Sequence, residues 1–478
     1  MLRTKKLSIL IIALTAVLII PAMPARAATP FRDIVAVSAM LAEADSGTVL
    51  FGHNTDRRHP ADGLARIMTL LLAVTDCTDD DADSEELVVM TDSAWLNINA
   101  NSATIGISPG EEMPLIDLMY CAYMVSASEA CNMIAEHLSG SVESFVKRMN
   151  ERAIELGCKN TNFSNANGQY NVFQYTTATD QFLIFREALS NSLFAEITGT
   201  YRYTTGETNM SESRNLVSSN SLLNTGGKYY FSPCASGLAS ATFEGGYSFI
   251  AFAEADELSL ISVVLGSDLI ILEDESTQIR NMTETRRLFE WGFSHFGWRT
   301  ILSPGIPVDK APVLNGDGAD TVNLSPESSI RLLLDNDVQD SDFKPVVTLY
   351  ADEFGEILEA PVAAGEVLGE MILTRKVRSG EVVLAGEVRD GIIEYDPVLL
   401  VANTSIELHR LVYIKRQVQE LLSGKPAKIT VWVLAGIVVL YIALVIRYNV
   451  IRHKRLHRIK EAKRKLAEER RGNYDDYD

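Results

Sequence analysis

The chain has 478 residues, of which 47% are hydrophobic and 22% charged, and its formal net charge at pH 7 is −20. This composition excludes a disordered chain, and the length is sufficient for two or three domains with their own cores. Because an acidic protein is repelled by the phosphate backbone, we expect no nucleic-acid partner.

The first 27 residues have the pattern of a secretory signal. Arg3, Lys5 and Lys6 precede a long apolar run, and the small residues of Ala25-Arg26-Ala27 follow at the spacing of a cleavage site. We therefore predict a signal peptide at 1–27 and an extracytoplasmic location for the part of the chain that follows it.

The apolar pattern then alternates between strand-like and helical spacing, which predicts one mixed α/β (α+β) domain at 28–299. Two β-hairpins are predicted, at 36–53 with a turn at Asp45-Ser46-Gly47 and at 246–266 with a turn at 254–257. Helical spacing predicts helices at 67–74, at 114–138 with a break around Ser126, at 144–156 before Gly157, and at 278–296, with a loop at 93–109.

In the C-terminal third, the sequence pattern changes from short strands to a helix and then to a long uncharged apolar segment. Short strands separated by Gly, Pro and Asp turns predict a small all-β domain at 300–402, and a helix is predicted next to the membrane at 403–428. Residues 429–446 contain no charge and would form a helix of about 27 Å, enough to span a bilayer. The basic segment 447–478 is predicted to stay in the cytoplasm, which makes this a single-pass membrane protein.

The cysteines and histidines do not suggest a disulfide framework or a metal centre. The five cysteines are odd in number and include no CxxC pair, and the seven histidines have no metal-ligand spacing. We predict that Cys121 and Cys131 are buried as small hydrophobic residues, and we expect neither a metal nor a cofactor.

Several stretches occur in an order and spacing that resemble a known family. They include EADSGTVLF at 43–51, IMTLLLA at 67–73, the segment 109–130, and SGLASATFEGGYSF at 236–249. Together they resemble the D-alanyl-D-alanine carboxypeptidases, the serine-type low-molecular-weight penicillin-binding proteins of peptidase family S11. The resemblance implies a β-lactamase/transpeptidase-like domain, with an antiparallel sheet flanked by helices, that acts on peptidoglycan stem peptides.

That family works through S-x-x-K, S-x-N and K-T-G motifs, in which the serine attacks the D-Ala-D-Ala carbonyl and the lysine accepts its proton. The first motif corresponds here to PADGLARIMT, and two alignments are open. Counting back from Ile67 puts Gly63 at the serine and Arg66 at the lysine, whereas counting forward from Pro60 puts Asp62 at the serine. Neither alignment keeps the hydroxyl, and an arginine stays protonated and cannot act as the base. We expect Asp62 and Arg66, four residues apart, to form an ion pair.

The other two motifs are also altered. Ser126 and Ser128 replace the serine and asparagine of S-x-N, and Ser126 could instead cap the helix that follows it. In place of K-T-G the chain has Ala239, Ser240 and Ala241, so the ammonium group that helps to hold the substrate carboxylate is missing.

These changes predict a membrane-anchored pseudoenzyme with no catalytic residues, since loss of a serine nucleophile costs on the order of 10⁶ in turnover. It would bind a wall stem peptide or a partner protein of wall assembly through a ligand site at Ser126, Ser128, Ser240 and Gly237. One alternative is an active carboxypeptidase that uses Asp62 or Ser126 as its nucleophile. Another is a structural interaction protein whose cleft is filled by its own side chains.

Overall fold

The computed structural model describes residues 31–462, apart from positions 32, 80–81, 97, 100–101, 272–276, 354–356, 379–380, 382, 423–439, 443, 457 and 460–461. The chain separates into two compact units. The first comprises the residues up to Trp298 together with Leu333–Val338 and Arg378–Leu384, and the second comprises the remaining residues.

The first unit is built on an antiparallel sheet, and both predicted hairpins are confirmed as part of it. Its strands are β1 (Ser38–Glu43), β2 (Val49–His53), β9 (Cys234–Thr242), β10 (Gly246–Ala255) and β11 (Leu258–Ser267). They are arranged in the order β2-β1-β11-β10-β9. Because β9 is at the end of this order, one of its two edges has no strand partner among the described residues.

Shorter strands form two-stranded ladders around this sheet in the first unit. They are β3 (His59–Pro60), β4 (Leu87–Val89), β5 (Glu112–Pro114), β6 (Tyr175–Thr176), β7 (Arg202–Thr204), β8 (Asn215–Val217), β12 (Leu269–Ile271) and β13 (Thr277–Ile279). The pairs are β3 with β6, β4 with β5, β7 with β8, and β12 with β13. The ladder of β3 and β6 leads directly into the turn before the first helix, so it helps to set where that helix begins.

Helices of the first unit pack against the sheet and against one another. They are α1 (Ala65–Thr78), α2 (Asp92–Leu96), α3 (Leu115–Met124), α4 (Ser128–Ser139), α5 (Val142–Glu155), α6 (Ala178–Leu189), α7 (Ser192–Gly199) and α8 (Arg280–His295). The predicted break around Ser126 is confirmed by the gap between α3 and α4. Gly157 follows α5 with a φ of 83°, the left-handed conformation expected there. The predicted loop at 93–109 was partly wrong because it contains part of α2, and α6 and α7 were not predicted.

Helix α1 is buried on almost every side, which explains its unusually apolar sequence. Ile67, Met68, Leu70 and Leu71 are each at most 3% exposed, and the helix packs against α3, α4 and α6. A helix that is apolar all round is stable only inside a protein. The 3₁₀ turn Asp62–Leu64 before α1 contacts β9, which places the start of the helix at the edge of the sheet. Cys121 and Cys131 are buried in the same core, as predicted.

The second unit contains a separate antiparallel sheet. Its strands are β15 (Asp309–Pro312), β16 (Thr321–Pro326), β18 (Lys344–Leu349), β19 (Val367–Lys376), β20 (Glu387–Arg389), β21 (Ile392–Glu394) and β22 (Val398–Ala402). The order is β15-β16-β22-β19-β21-β20, with β18 also paired to β19. Further elements in the described part of the chain are β14 (Phe296–Leu302), β17 (Ile330–Asp335), α9 (Tyr350–Glu353) and α10 (Arg410–Leu422), and residues 440–442 and 444–456 are also helical.

The predicted membrane segments fall mostly outside the described residues. Of the span predicted at 429–446, positions 429–439 and 443 are not described, and neither are the signal peptide at 1–27 and much of the tail at 447–478. In the part of the chain that is described, no helix has the length and apolar character needed to cross a bilayer. The helix predicted at 403–428 begins later than expected, at Arg410.

Candidate functional site

A cleft of about 850 Å³ opens beside the edge strand β9, between that strand and the N-terminal ends of α1 and α4. It collects the altered motifs from distant parts of the sequence. The motif residues that line it are Gly63, Arg66, Ser126, Ser128, Ala239, Ser240 and Ala241. The remaining two predicted site residues, Asp62 and Gly237, do not line it.

The first motif enters the cleft through a short 3₁₀ turn, Asp62–Leu64, that continues into α1. Gly63 faces the cleft: a Cβ atom built on it would lie 2.7 Å from Oγ of Ser240, within 3.0 Å of Cζ of Arg66, and closer still to Nη2 of Arg66. The backbone N–H of Gly63 donates a hydrogen bond to Ser240 Oγ at 3.1 Å. The space in front of Gly63 is therefore occupied by the guanidinium of Arg66 and the hydroxyl of Ser240.

Asp62 points away from the cleft. Its φ of 41° turns the side chain toward Thr242, whose hydroxyl donates a hydrogen bond to the carboxylate, and the residue is only 4% exposed. Burial raises its pKa, while the Thr242 hydroxyl and His59 act in the opposite direction. The other oxygen, Oδ1, has no hydrogen-bond partner among the described residues.

The expected ion pair between Asp62 and Arg66 is therefore wrong. The spacing of four residues would align the two side chains only if both belonged to one α-helix. Asp62 instead lies before α1, in the 3₁₀ turn and with a positive φ. Its carboxylate forms its hydrogen bond with Thr242 and makes no ion pair with the guanidinium.

Arg66 lies at the floor of the cleft and is 7% exposed. Its Nη1 donates a hydrogen bond to the carbonyl of Asn167 at 3.3 Å, and its Nε has no partner among the described residues. Burial lowers the pKa of Arg66, but the pKa of an arginine begins so high that the group remains a cation.

The two serines of the second motif lie at the start of α4. Ser126 has a φ of 62°, an uncommon conformation for a non-glycine residue, and Ser128 is 3% exposed. The prediction that Ser126 could cap this helix is wrong, because the N-cap is Ala127 and no side chain caps the first turn. The positive φ of Ser126 instead places the residue at the wall of the cleft.

Strand β9 carries the third motif along the other wall. Ala239, Ser240 and Ala241 pair through their backbones with Phe249, Ser248 and Tyr247 of β10. Gly237 precedes them on the same strand but is buried, and its carbonyl accepts a hydrogen bond from the Tyr123 hydroxyl. The structure therefore separates Gly237 from the other candidate ligand-binding residues.

Sequence reasoning missed part of the lining. Asn167, Gly168, Gln169 and Tyr170 come from the loop before β6, and Phe243, which is 99% exposed, lies at the turn after β9. The loop overlaps the stretch SNANG at 164–168, where a cluster of turn-forming residues is a signal for a structured loop. No sequence pattern marks Phe243 as a cleft residue.

The described lining of the cleft contains neither the lysine of the S-x-x-K motif nor the lysine of the K-T-G motif. Among the described residues that line it, the charged side chains are Arg66 and Glu244, and neither lysine nor histidine is present. A serine hydroxyl needs a neighbouring base to become a nucleophile, and the Glu244 carboxylate is the candidate base in this lining. The arrangement offers hydroxyls, backbone groups of an edge strand, one cation and one carboxylate, which are suited to binding.

Comparison with known proteins identifies the relatives of this chain. A family model described as D-alanyl-D-alanine carboxypeptidase matches residues 23–268. The D-alanyl-D-alanine carboxypeptidase DacF of Bacillus subtilis is 28% identical over 352 residues, which cover 73% of this chain and 83% of DacF. DacC of Escherichia coli K12 is 27% identical over 339 residues, which cover 69% of this chain and 78% of DacC.

Solved structures agree at the level of the fold. Penicillin binding protein 5 from Haemophilus influenzae has a TM-score of 0.56 and 23% identity, with 79% of this chain and 99% of that protein covered. The fold is accordingly the mixed helix and sheet fold of the penicillin-binding proteins. Since the family model spans more than half of the sequence, the chain belongs to the D-alanyl-D-alanine carboxypeptidase family, peptidase S11.

Proposed function

We propose that this chain is a pseudoenzyme of its family: an extracytoplasmic protein, anchored by its C-terminal segment, that binds a wall stem peptide or a wall-assembly partner without forming an acyl intermediate. The curated relatives are named as D-alanyl-D-alanine carboxypeptidases, which supports a peptide of this class as the ligand. The basic residues after position 446 support the orientation.

One observation carries the proposal. Gly63 and Arg66 are three residues apart at the start of a buried helix, which is the spacing of S-x-x-K, and Gly63 faces the cleft whereas Asp62 does not. This favours the alignment with Gly63 at the serine. The guanidinium lies where a serine side chain would project, so the position lacks both the hydroxyl and the space for one.

The alternative nucleophiles are less well supported. Asp62 is buried against Thr242 and does not line the cleft. Ser126 and Ser240 do line it, but the described cleft residues include no lysine or histidine, and neither serine is hydrogen-bonded to the Glu244 carboxylate. A cleft of about 850 Å³ also argues against the hypothesis that the protein's own side chains fill the site.

Covalent labelling tests the proposal. Incubation of the full chain with a fluorescent penicillin, followed by intact-mass analysis, is expected to leave the protein unmodified, because the cleft has no activated nucleophile to be acylated. A penicillin adduct on any residue of the wild-type protein would contradict the proposal. Binding without an adduct would agree with it.

Two matched variants sharpen the test. Gly63→Ser with Arg66→Lys restores the serine and the lysine and removes the guanidinium from the space in front of position 63, and it is expected to gain detectable labelling over the wild type. Arg66→Lys alone restores the lysine without a nucleophile and should remain unlabelled. Gly63→Ser alone should also remain unlabelled, because its side chain would collide with the guanidinium.

A further inference from the structure

Arg66 is a buried cation without a directly bonded anion in the described part of the chain. Among the described residues no carboxylate forms an ion pair with it, and its single hydrogen bond is from Nη1 to the Asn167 carbonyl. Asp62, the nearest acidic group along the chain, accepts its hydrogen bond from Thr242 and acts on the guanidinium through its charge, without forming an ion pair. The Cys131 thiol interacts electrostatically with the guanidinium, but burial raises the pKa of that thiol to about 12, so it is uncharged at neutral pH.

A buried guanidinium lowers the stability of the folded protein unless an anion forms an ion pair with it. Removing a charge from water costs several kcal/mol, and the cost is offset only by a partner of opposite charge with good geometry. A guanidinium presents five N–H donors in a planar fork that matches a carboxylate. Because Arg66 lines the open cleft, a ligand can supply the missing anion.

Arg66 lines the cleft beside two glycines and a serine hydroxyl. Gly63 and Gly168 both lie against the guanidinium, and a Cβ atom on Gly168 would be 3.0 Å from Nη1. The Ser240 oxygen accepts a hydrogen bond from the Gly63 N–H, so its own proton remains available as a donor. Strand β9, which carries Ser240, presents an edge along which a peptide backbone can pair.

The chemistry of the family indicates which carboxylate fits. A D-alanyl-D-alanine carboxypeptidase cleaves the terminal peptide bond, and the attacked carbonyl carbon becomes the carboxylate of the shortened peptide. In this chain Gly63 occupies the position of the attacking serine, without its side chain, and lies next to the Arg66 cation. At the same time Ala239 removes the lysine that would hold the carboxylate of the uncleaved peptide.

We infer that the cleft binds stem peptides that have already lost their last residue, with the new terminal carboxylate held noncovalently by Arg66 and Ser240. This inference rests on the proposed function, since it specifies which peptide the inactive cleft selects. An uncleaved peptide places a neutral amide against the guanidinium, which leaves the buried cation without its anion. The protein would thus recognise the product of the reaction that its relatives are named for.

Calorimetric titration of the full chain with three probes tests the inference. They are diacetyl-L-lysyl-D-alanine, its C-terminal amide, and diacetyl-L-lysyl-D-alanyl-D-alanine. The first is expected to bind about 10- to 100-fold more tightly than either of the others, because only its carboxylate can form a charge-assisted hydrogen-bonded pair with Arg66.

Three variants test whether Arg66 causes this preference. Arg66→Met should abolish the preference, and Arg66→Lys should retain part of it. Arg286→Gln, at a partly exposed arginine on α8 that forms an ion pair with Glu290, is the matched control and should bind like the wild type.

The outcomes separate this inference from the proposal on which it rests. Equal affinity for the acid and its amide, or tighter binding of the D-alanyl-D-alanine probe, would overturn the inference and leave the pseudoenzyme proposal intact. A penicillin adduct would overturn the pseudoenzyme proposal. Failure of all three probes to bind would refute peptide recognition in this cleft and so the inference with it. Circular dichroism of each variant shows whether a loss of binding reflects misfolding.

Discussion

Asp62 is a buried carboxyl group whose environment disfavours its charge. Burial raises its pKa, so the folded protein holds this proton to a higher pH than the unfolded chain, in which the pKa is about 3.9. The folded state therefore loses stability through this residue as the pH rises from that value through the folded-state pKa. Above both pKa values, the folded state bears the full free-energy cost of burying the ionised Asp62 carboxylate.

Replacing Asp62 by asparagine should remove that cost. The amide oxygen can still accept the hydrogen bond from Thr242, and asparagine tolerates a positive φ. We expect Asp62→Asn to raise the free energy of unfolding at pH 7 and to lose this advantage near pH 4, as measured by urea denaturation at both values. Asp180→Asn is the control. Its carboxylate accepts from the backbone of Lys159 and Asn160, so that change should destabilise the fold at pH 7.

Arg66 gives a second prediction at the level of a residue, because its charge is buried without an acidic partner. Replacement of a buried ion pair by apolar side chains of similar volume is often stabilising by about 1–4 kcal/mol, because it removes the desolvation cost of the charges, and the same cost applies to the Arg66 cation. We expect Arg66→Met to raise the free energy of unfolding by about 1–2 kcal/mol in the absence of ligand, as measured by urea denaturation. A marked loss of stability would mean that an unrecognised anionic partner holds the guanidinium in the free protein.

Among the elements, strand β9 depends on helix α3 for its position. The hydroxyl of Tyr123 on α3 lies within hydrogen-bonding distance of the Gly237 carbonyl on β9 and of the Thr198 carbonyl on α7, at 2.7 Å for Thr198. Burial raises the pKa of Tyr123, so the hydroxyl stays protonated and acts as the donor. This contact ties together the helix and the strand that carries Ser240.

Tyr123→Phe tests this link. The loss of one buried donor should lower the free energy of unfolding by about 1–2 kcal/mol, since a carbonyl is left without its partner. Hydrogen exchange should also become faster in β9 than in β11, because only β9 is held by this contact. Tyr170→Phe, at a tyrosine that is 45% exposed, is the matched control and should change stability by less than about 0.5 kcal/mol.

For the whole molecule, the proposed membrane anchor gives a prediction that involves the far end of the chain. Residues 429–446 are apolar and uncharged. We expect the full chain to remain in the membrane fraction after alkaline carbonate extraction, and a chain that ends at Leu422 to be recovered in the soluble extracytoplasmic fraction. Release of the full chain by carbonate would contradict the anchor, and a cytoplasmic truncated chain would contradict the signal peptide.

Local patterns were sufficient for many of the elements. The hairpin turns at Gly47 and at 254–257, the interruption between α3 and α4, and the left-handed Gly157 were predictable because each depends on residues close by in the chain. Helices α6 and α7 were missed, although Thr177 and Asn191 accept hydrogen bonds at their N-termini as cap residues do. Those caps were a signal that could have been used.

The amino-acid sequence by itself determined the family and the loss of the motif residues, because these depend on which residues follow one another. Only the tertiary structure decided that Gly63 faces the cleft, that Asp62 does not, and that Arg66 is buried without an acidic partner. The physical reason is that these properties depend on one positive φ at Asp62 and on a strand whose Ser240 is 177 positions from Gly63. Packing between such distant segments determines that the Asp62 carboxylate is bonded to Thr242 and that the Arg66 guanidinium lines the cleft, where a ligand can reach it.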